Sequence, residues 1–323
     1  MKKISGWILA AALVACWLVA ACGGLDYPAA DDDDDADDDT GGDDDTGGDD
    51  DTGGDDDTGD DDNDDVTFDP QNFSTRFYNV GLGDAILVEI PGPYTMMVDG
   101  GLIGSGSEII CPDLAARGIE RIDVMVLTHP DYDHCGGLSE VFDCVEVGTV
   151  WTNGEASEEE AYLQFQQKLQ EWGGPTVVKE QGDFDSLGDA GILTVHADSD
   201  YPEYDNNSLV QLVTYQGARV LLTGDIRNTA QQEIYDDYGA LIDCDVIKIP
   251  AHGYAPFSAD FVAQQGASIG VLSVGENAMG YPAQTTLNAY EATGMELYRT
   301  DVNGTILLTL VDGAWQLETG QRR

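Results

Sequence analysis

An aspartate-rich tract at residues 31–65 limits the fold of this chain more than any other feature. The tract holds 22 aspartates and no lysine or arginine, in a chain of 323 residues with a formal net charge of −49. Its repeated Asp-Asp-Asp-Thr-Gly-Gly units offer no apolar surface, so burial could not offset the entropy lost on ordering them. We therefore expect residues 22–65 to be a disordered linker and residues 66–323 to be the folded domain.

Specific calcium binding is the alternative interpretation of this tract. A calcium loop of the EF-hand type needs oxygen ligands at alternate positions, a glycine at the sixth position and a glutamate at the twelfth. The six-residue repeat supplies no such glutamate. Diffuse attraction of cations is the expectation instead.

The domain at residues 66–323 is strongly acidic as well. It has 39 acidic and 11 basic side chains, a net charge of −28. Its length suffices for one sizeable core. Stable binding of DNA or RNA usually needs several lysines or arginines on phosphates, so this charge disfavours nucleic acid as a partner without excluding it.

Residues 1–21 have the layout of an export signal. Lys2 and Lys3 precede an apolar run at residues 4–21. A basic start followed by an apolar run that ends in small residues is typical of a secretory signal. An uncleaved membrane anchor is the alternative, since about 18 apolar residues can just span a bilayer.

The segment Val19-Ala20-Ala21-Cys22 resembles the signal box of bacterial lipoproteins, in which the cysteine is acylated and becomes the new N-terminus. Leu13-Val14-Ala15-Cys16 fits that pattern too, but cleavage there would leave an apolar Trp17-Leu18-Val19 segment on the mature chain. The resemblance implies an exported lipoprotein, acylated at Cys22 and anchored to a membrane on its periplasmic or cell-surface side.

Four further cysteines belong to the folded domain, namely Cys111, Cys135, Cys144 and Cys244. No CxxC or Cys/His zinc spacing joins them, and an exported protein reaches a compartment that permits disulfides. Two bridges are plausible, and three pairings of the four cysteines stay open.

Apolar runs rich in β-branched residues alternate with helical patterns along the domain, which predicts a layered α/β fold. The predicted strands lie at residues 75–80, 85–90, 94–98, 122–128, 149–152, 192–196, 209–215, 219–222, 246–249, 269–274 and 305–310. Helices are predicted at residues 157–172, 226–238 and 258–265. In the first of these, Ser157 is the expected N-cap and Gly173-Gly174 the stop.

The strand predicted at residues 122–128 runs directly into His129-Pro130-Asp131-Tyr132-Asp133-His134. Four potential metal ligands lie within these six residues, and a turn after a strand can bring them to one side. A single histidine there would be an ordinary hydrogen-bonding residue, and Asp133 alone would be a helix N-cap. The four together predict a metal site at the carboxyl end of the strand.

The pattern His129-x-Asp131-x-Asp133-His134 resembles the HxHxDH signature of the metallo-β-lactamase fold, in the HxDxDH form of ComEC-like competence proteins. Further segments resemble that family in the same order: VGLGDA at residues 80–85, VDGG at 98–101, NSLV at 207–210, LLTGD at 221–225 and RTDVNGT at 299–305. The resemblance implies an αββα sandwich with a metal site at one rim. It also makes Asp84, Asp99 and Asn207 candidates for substrate or loop roles.

Carried over by position, the resemblance implies one metal ion held by four residues: Asp133, His134, Asp225 and His252. Asp225 would bridge to a second ion held by His129 and Asp131, and Asp133 and Asp225 would serve catalysis. A third family histidine is missing, and its place falls near residues 205–207. Since oxygen-rich sites favour harder ions, manganese competes with zinc as the cofactor, with one or two ions per chain. His196, in an apolar strand, is expected to be a core or rim residue.

Two segments depart from the family pattern. Ala251-His252-Gly253-Tyr254 stands where the family has HHGS, and Met279-Gly280-Tyr281-Pro282-Ala283 stands where it has YGHPH. Two histidines that could orient substrate or protonate a leaving group are therefore missing. Tyr254 and Tyr281 become candidate substrate or loop residues in their place.

Other catalytic motifs fit poorly. The glycines of Gly101-x-x-Gly104-x-Gly106 lack the lysine of a phosphate-binding loop, and the sequence has no GxSxG nucleophile elbow. We interpret these glycines as a loop.

Three hypotheses for function follow. The first is a lipid-anchored, metal-dependent hydrolase that uses a metal-bound hydroxide on a small phosphodiester or related ester. The second, closer to the ComEC analogy, is a nuclease acting on DNA outside the cytoplasm, which the net charge opposes. In the third, the missing histidines leave a module that binds metal or ligand without turnover. The fold alone does not decide among them.

Overall fold

The computed structural model of the protein describes residues 70–320, apart from Ser199 and Glu203. The predicted export signal, the acylated Cys22 and the acidic linker all lie outside these residues. Within them, no helix combines the length and the apolar composition needed to cross a membrane.

Within the described residues, fifteen strands form two sheets. The strands are β1 Ser74–Phe77, β2 Ile86–Ile90, β3 Tyr94–Val98, β4 Arg121–Leu127, β5 Glu146–Thr152, β6 Thr176–Val178, β7 Phe184–Leu187, β8 Ala190–His196, β9 Val210–Tyr215, β10 Ala218–Leu222, β11 Val246–Lys248, β12 Ile269–Leu272, β13 Glu296–Arg299, β14 Ile306–Val311 and β15 Ala314–Thr319. The first sheet has the order β15-β14-β1-β2-β3-β4-β5-β6, and the second has the order β13-β12-β11-β10-β9-β8-β7. Both mix parallel and antiparallel pairs.

In the part of the chain that the structure describes, eight α-helices connect the strands. They are α1 Cys111–Ala116, α2 Tyr132–Cys135, α3 Leu138–Val141, α4 Glu160–Trp172, α5 Asn228–Tyr238, α6 Ala259–Gln264, α7 Gln284–Glu291 and α8 Thr300–Asn303. A π-helical turn, Gly106–Ile110, precedes α1, and 3-10 turns occur at Tyr204–Asn207, Gly239–Ile242 and Pro250–Gly253.

Three apolar clusters define four layers. The central cluster lies between the sheets and joins residues such as Val88 of β2 and Val213 of β9. A second packs the outer face of the first sheet against helices, with Phe165 of α4 among its members. A third does the same for the second sheet, through Ile234 of α5 and Phe261 of α6. The αββα sandwich expected from the sequence is therefore confirmed.

The strands use both faces, as their continuous apolar runs predict. In β2, Ile86 and Val88 belong to the cluster between the sheets, whereas Leu87 belongs to the cluster under the outer helices. Successive side chains of a strand point to opposite faces. A strand that lies between two apolar layers therefore needs apolar residues at every position.

The predicted start of one helix needs correction. Helix α4 begins at Glu160 with Glu159 as its N-cap, not at Ser157. The Ser157 hydroxyl instead accepts a hydrogen bond from the Glu159 amide within the preceding loop. The predicted stop is found, since Gly173 adopts a left-handed conformation with φ of 64° and ends the helix.

Among the described cysteines there is one disulfide rather than two. It joins Cys111 to Cys144, while Cys135 and Cys244 are free and buried. The bridge links the start of α1 to the segment that follows α3.

Candidate metal centre

The predicted ligands come together at one rim of the sandwich. His129 follows β4, and Asp133 and His134 lie on the single turn of α2. From the second sheet, Asp225 follows β10 and His252 lies in the turn after β11. Each ligand therefore follows the carboxyl end of a strand, where the chain leaves the sheet.

Four residues form the best-defined candidate site. The Nε2 atom of His252 lies 3.1 Å from Oδ2 of Asp225 and 3.4 Å from Oδ2 of Asp133, and Nε2 of His134 lies 3.5 Å from Oδ1 of Asp225. Atoms bound tetrahedrally at about 2.1 Å from one ion are about 3.4 Å apart. These three distances are close to that spacing, and Asp133, His134 and His252 have ligand atoms within 4.8 Å of one another.

The imidazole nitrogens that face this site have no other partner. Nε2 of His129, His134 and His252 is buried in each case and forms no well-formed hydrogen bond among the described residues. Its near neighbours are the carboxylates of the candidate ligands. Buried polar atoms are normally satisfied, and an exception calls for an explanation such as an ion. Three such nitrogens at one rim are the strongest sign in the structure that this is a metal site.

A second candidate site adjoins the first. Nε2 of His129 lies 3.6 Å from Oδ2 of Asp131. Ligand atoms of His129, Asp131 and Asp205 lie within 4.8 Å of one another, and so do those of His129, His134 and Asp225. His129 belongs to both groups, so Asp225 lies beside a ligand of the second candidate site as well as beside His252. The site is richer in oxygen and more open, because Asp131 and Asp205 are only half-buried.

Asp205 is a residue that sequence reasoning did not assign. The resemblance located a missing histidine only near residues 205–207, and the structure brings the Asp205 carboxylate into that place. Burial and the carboxylate of Asp225 raise the pKa of Asp205, and the Arg227 guanidinium, its ion-pair partner, opposes that rise. A carboxylate in such surroundings gains from a cation beside it.

Each histidine is oriented from behind through Nδ1. His134 Nδ1 lies 2.8 Å from Oδ2 of Asp99, and His252 Nδ1 lies 2.7 Å from the carbonyl oxygen of Ser273. His129 Nδ1 lies 3.0 Å from the Thr128 hydroxyl. A hydrogen bond at one ring nitrogen fixes the ring and leaves the other nitrogen for a metal.

Asp99 supports the site through more than His134. Its carboxylate also accepts hydrogen bonds from the Thr128 amide at 2.8 Å and from the Thr128 hydroxyl at 2.7 Å. The residue adopts φ of 57° directly after β3, a conformation that non-glycine residues rarely take and that occurs often at functional sites. Asp99 therefore lies behind the ligands, so the structure gives it a supporting role rather than contact with substrate.

A buried lysine, which the sequence patterns did not single out, completes the site. Lys248 ends β11, and its ammonium lies 2.5 Å from Oδ2 of Asp84, 3.1 Å from Oδ1 of Asp225 and 2.8 Å from the carbonyl oxygen of Gly224. The side chains of Lys248 and Asp84 are fully buried or nearly so. Asp84, like Asp99, therefore supports a ligand from behind.

The electrostatics of the centre favour positive charge. Burial alone would lower the pKa of His252, but Asp225 and Asp133 outweigh it and raise the pKa to about 10. The pKa of His134 is raised in the same way by Asp225 and Asp99. Although burial opposes the shift, His252, Lys248 and His134 hold the pKa of Asp225 well below its usual range. Asp225 thus stays ionised, as a metal ligand must.

The remaining candidates divide between loop and cleft. Asn207 is buried, and its side-chain amide donates to Oε1 of Glu155 at 2.9 Å, so it holds a loop in place. Nε2 of His196 lies 2.8 Å from the carbonyl oxygen of Asn206, and His196 belongs to none of the candidate ligand groups among the described residues. Tyr281 lines a cleft that opens onto the ligands, and the ring of Tyr254 lies against the ring of Tyr281.

A small cleft of about 110 Å³ opens onto the centre. It is lined by residues from both halves of the sandwich: Leu82, Asp131, Tyr132, Asp133, Asp205, Asp225, Arg227, Ala251, His252, Met279 and Tyr281. Next to it runs a groove whose lining includes Asp131, Glu158 and Glu159. The approach to the metal ligands is therefore acidic.

Comparison with known proteins gives a consistent family. The model of the metallo-beta-lactamase superfamily matches residues 78–272. ComE operon protein 3 of Bacillus subtilis is 29% identical over 62% of this chain and 26% of its own length. Competence protein ComA of Neisseria gonorrhoeae is 28% identical over 76% of this chain and 33% of its own length. The chain thus spans about a quarter to a third of these relatives.

Solved structures show the same fold at low identity. CmlA, a diiron beta-hydroxylase from Streptomyces venezuelae, is 16% identical, with a TM-score of 0.50 over 75% of this chain and 55% of its own. At this identity the likeness extends to the fold alone.

Proposed function

The chain belongs to the metallo-beta-lactamase superfamily, and from that membership we propose that it is a metal-dependent hydrolase of small phosphodiester or related ester bonds. The observation that supports this most is the set of buried imidazole nitrogens that face the carboxylates of Asp133 and Asp225 without a well-formed hydrogen bond. A divalent ion held there would lower the pKa of a bound water from about 16 towards about 7, supplying a nucleophile near neutral pH.

The residues of the chain hold this site in shape before substrate arrives. Asp133, His134, Asp225 and His252 would hold the first ion, and His129, Asp131 and Asp205 would complete a second with Asp225 between them. Zinc or manganese is the proposed cofactor, because the first set mixes imidazole with carboxylate and the second is mostly carboxylate. Lys248 fixes the Asp225 carboxylate of the first set, and Asp99 fixes the His134 imidazole.

A small substrate is proposed rather than nucleic acid. The cleft is small, and Asp131, Glu158 and Glu159 line the groove beside it. A DNA backbone laid along that groove would meet like charge and gain little from counterion release. Because two of the relatives are competence-related proteins, a nuclease that acts outside the cytoplasm is the alternative function.

For localisation, we propose export and acylation at Cys22, on the strength of the signal-like residues 1–21. Cys22→Ala should block processing or release the protein from membranes. Unchanged processing and membrane attachment of that variant would contradict the proposal.

The test of hydrolysis compares Asp225→Asn with the wild type. Purified protein loaded with zinc or manganese should cleave bis(p-nitrophenyl) phosphate, and Asp225→Asn should lose at least about 100-fold in kcat/KM, because it removes charge between the two sites with little change of shape. Asp143→Asn, at an exposed carboxylate far from the cleft, is the matched control and should keep full activity.

Three results would contradict this account. Equal turnover by Asp225→Asn would show that the centre is misplaced. Efficient cleavage of plasmid DNA at low salt would instead favour the nuclease, and failure to cleave any ester at full metal occupancy would favour a binding module.

A further inference from the structure

Arg227 occupies the wall of the cleft beside the proposed metal centre. It follows Asp225 by two residues, at the start of α5, and lines the same cleft as Asp225 and His252. Its guanidinium carbon lies 4.5 Å from the centre of the Tyr254 ring, a cation–π contact of the kind that arginine forms with aromatic faces. This contact holds the guanidinium beside the cleft.

A chain of aromatic contacts connects Arg227 to a metal ligand. Tyr254 meets Tyr281 edge to face, with ring centres 5.9 Å apart at 88°. Tyr281 in turn stacks against His252, with centres 6.5 Å apart at 25°. These two tyrosines stand in the segments that depart from the family pattern. The two tyrosine rings therefore fill the space next to the metal ligands in these segments.

The guanidinium keeps donors free. Arg227 forms an ion pair with Asp205 through Nη2, but its buried Nε has no hydrogen-bond partner among the described residues. Arginine carries five N–H donors in a rigid fork, which suits a carboxylate or phosphate group. One carboxylate therefore leaves capacity for a second oxyanion.

Charge makes Arg227 distinctive within the cleft. Four aspartates line it, Asp131, Asp133, Asp205 and Asp225, and Arg227 is the one lysine or arginine in the lining of this cleft. When metal ions neutralise the aspartates, the positive charge of Arg227 on the wall of the cleft would attract a negatively charged phosphate. At the mouth, Tyr132 and Met279 are 43% and 58% exposed and offer apolar surface.

We propose that Arg227 binds an anionic oxygen of the substrate, and that the substrate is a small phosphate ester with an apolar or aromatic group. Tyr254 holds the guanidinium in place through the cation–π contact, and Tyr132 and Met279 take the apolar group. The proposal rests on the hydrolase function above and narrows its substrate class. It separates anionic phosphoesters from neutral esters, which share the centre but need no guanidinium.

The first test measures binding without turnover. Phenyl phosphate is titrated calorimetrically into zinc-loaded wild type and Arg227→Met, and the variant should bind about 10- to 100-fold more weakly, since it loses a charge-assisted hydrogen bond. Arg227→Lys should fall between them. Equal affinity of Arg227→Met and wild type would overturn the proposal.

Arg299→Met is the matched control. Arg299 pairs with Asp301, with side-chain exposures of 31% and 20%, against 28% and 16% for Arg227 and Asp205. It lies outside the lining of the cleft. Its substitution removes a comparable ion pair and should change phenyl phosphate affinity by less than about twofold. A loss equal to that of Arg227→Met would overturn the proposal.

The second test separates direct contact from an effect through Asp205. Arg227→Met should raise KM for bis(p-nitrophenyl) phosphate about tenfold and leave p-nitrophenyl acetate nearly unchanged, with normal metal content. Two results would assign the raised KM to Asp205 and overturn the proposal. One is loss of metal from Arg227→Met. The other is an Asp205→Asn variant that also has a raised KM for the phosphodiester and an unchanged one for the acetate. Wild type that cleaves neither ester would refute the hydrolase function, while the binding test would still decide the role of Arg227.

Discussion

Lys248 and Asp225 form a buried ion pair, with the ammonium nitrogen 3.1 Å from Oδ1 of the carboxylate. The same ammonium lies 2.5 Å from Oδ2 of Asp84. Burial lowers the pKa of Lys248, but Asp84 and Asp225 outweigh it and raise the pKa, so the lysine stays charged. One cation thus neutralises part of the negative charge that the metal ligands bring together.

Removal of that cation should destabilise the protein. Lys248→Met leaves Asp84 as an uncompensated buried charge, and the free energy of unfolding should fall by about 3–5 kcal/mol in urea titrations of the chelator-treated protein. Lys168→Met is the control, because Lys168 pairs with Asp143 at the surface. A loss for Lys248→Met no larger than that for Lys168→Met would contradict this role.

Asp99 should control metal affinity without touching the metal. Asp99→Asn keeps an oxygen for the Thr128 amide but weakens the hold on Nδ1 of His134. Zinc affinity, measured by competition with a chelator, should fall about 10- to 100-fold. Asp123→Asn, whose carboxylate accepts from the Thr95 amide away from the centre, should bind zinc as the wild type does.

Two buried histidines should behave in opposite ways. His134→Ala removes a proposed ligand, so the purified variant should lose most of its metal in elemental analysis. His196→Ala removes a ring of similar burial that bonds the Asn206 carbonyl, and its metal content should match the wild type. Full metal content in His134→Ala would show that the ligand set is wrong.

Stability of the metal-free protein should depend on pH through His252. Its pKa is about 10 in the folded state, against about 6.5 in an unfolded chain. The stabilisation is therefore fully present below about pH 6.5 and is lost as pH rises towards about 10. The urea midpoint of chelator-treated protein should be higher near pH 6.5 than near pH 9.5.

The proton on the His252 imidazole competes with a metal ion for the same ring. Since metal binding must displace it, the apparent metal affinity should rise over that pH window. His252→Asn should weaken the pH dependence of the urea midpoint, whereas His196→Asn should retain it. A midpoint that does not fall between about pH 6.5 and pH 9.5 would contradict the raised pKa.

Most of the core could be predicted from sequence, and the sheet edges could not. Each predicted strand overlaps a strand of the structure, because buried strands require continuous apolar runs. The four strands that were missed, β6, β7, β13 and β15, are the four edges of the two sheets. Edge strands are partly exposed, as all three residues of β6 show, so their sequences carry little apolar signal.

Some residues of the candidate site could be predicted from sequence, and others could not. Ligands carried by short motifs, such as His129 and His252, were named from sequence because their spacing is local. Lys248, Asp205 and Arg227 were not, since each is recognised only by what the fold brings beside it. A lysine at the end of a short apolar strand has no local pattern that reveals its two carboxylate partners.

The most direct test of the central claim is a metal titration of hydrolysis. Wild-type protein is stripped with a chelator and zinc or manganese is restored stepwise, while cleavage of bis(p-nitrophenyl) phosphate is followed. We expect the stripped protein to be inactive, and activity to rise with added metal and to saturate at one or two equivalents per chain. Activity that survives complete metal removal, or no activity at full occupancy, would contradict a metal-dependent hydrolase.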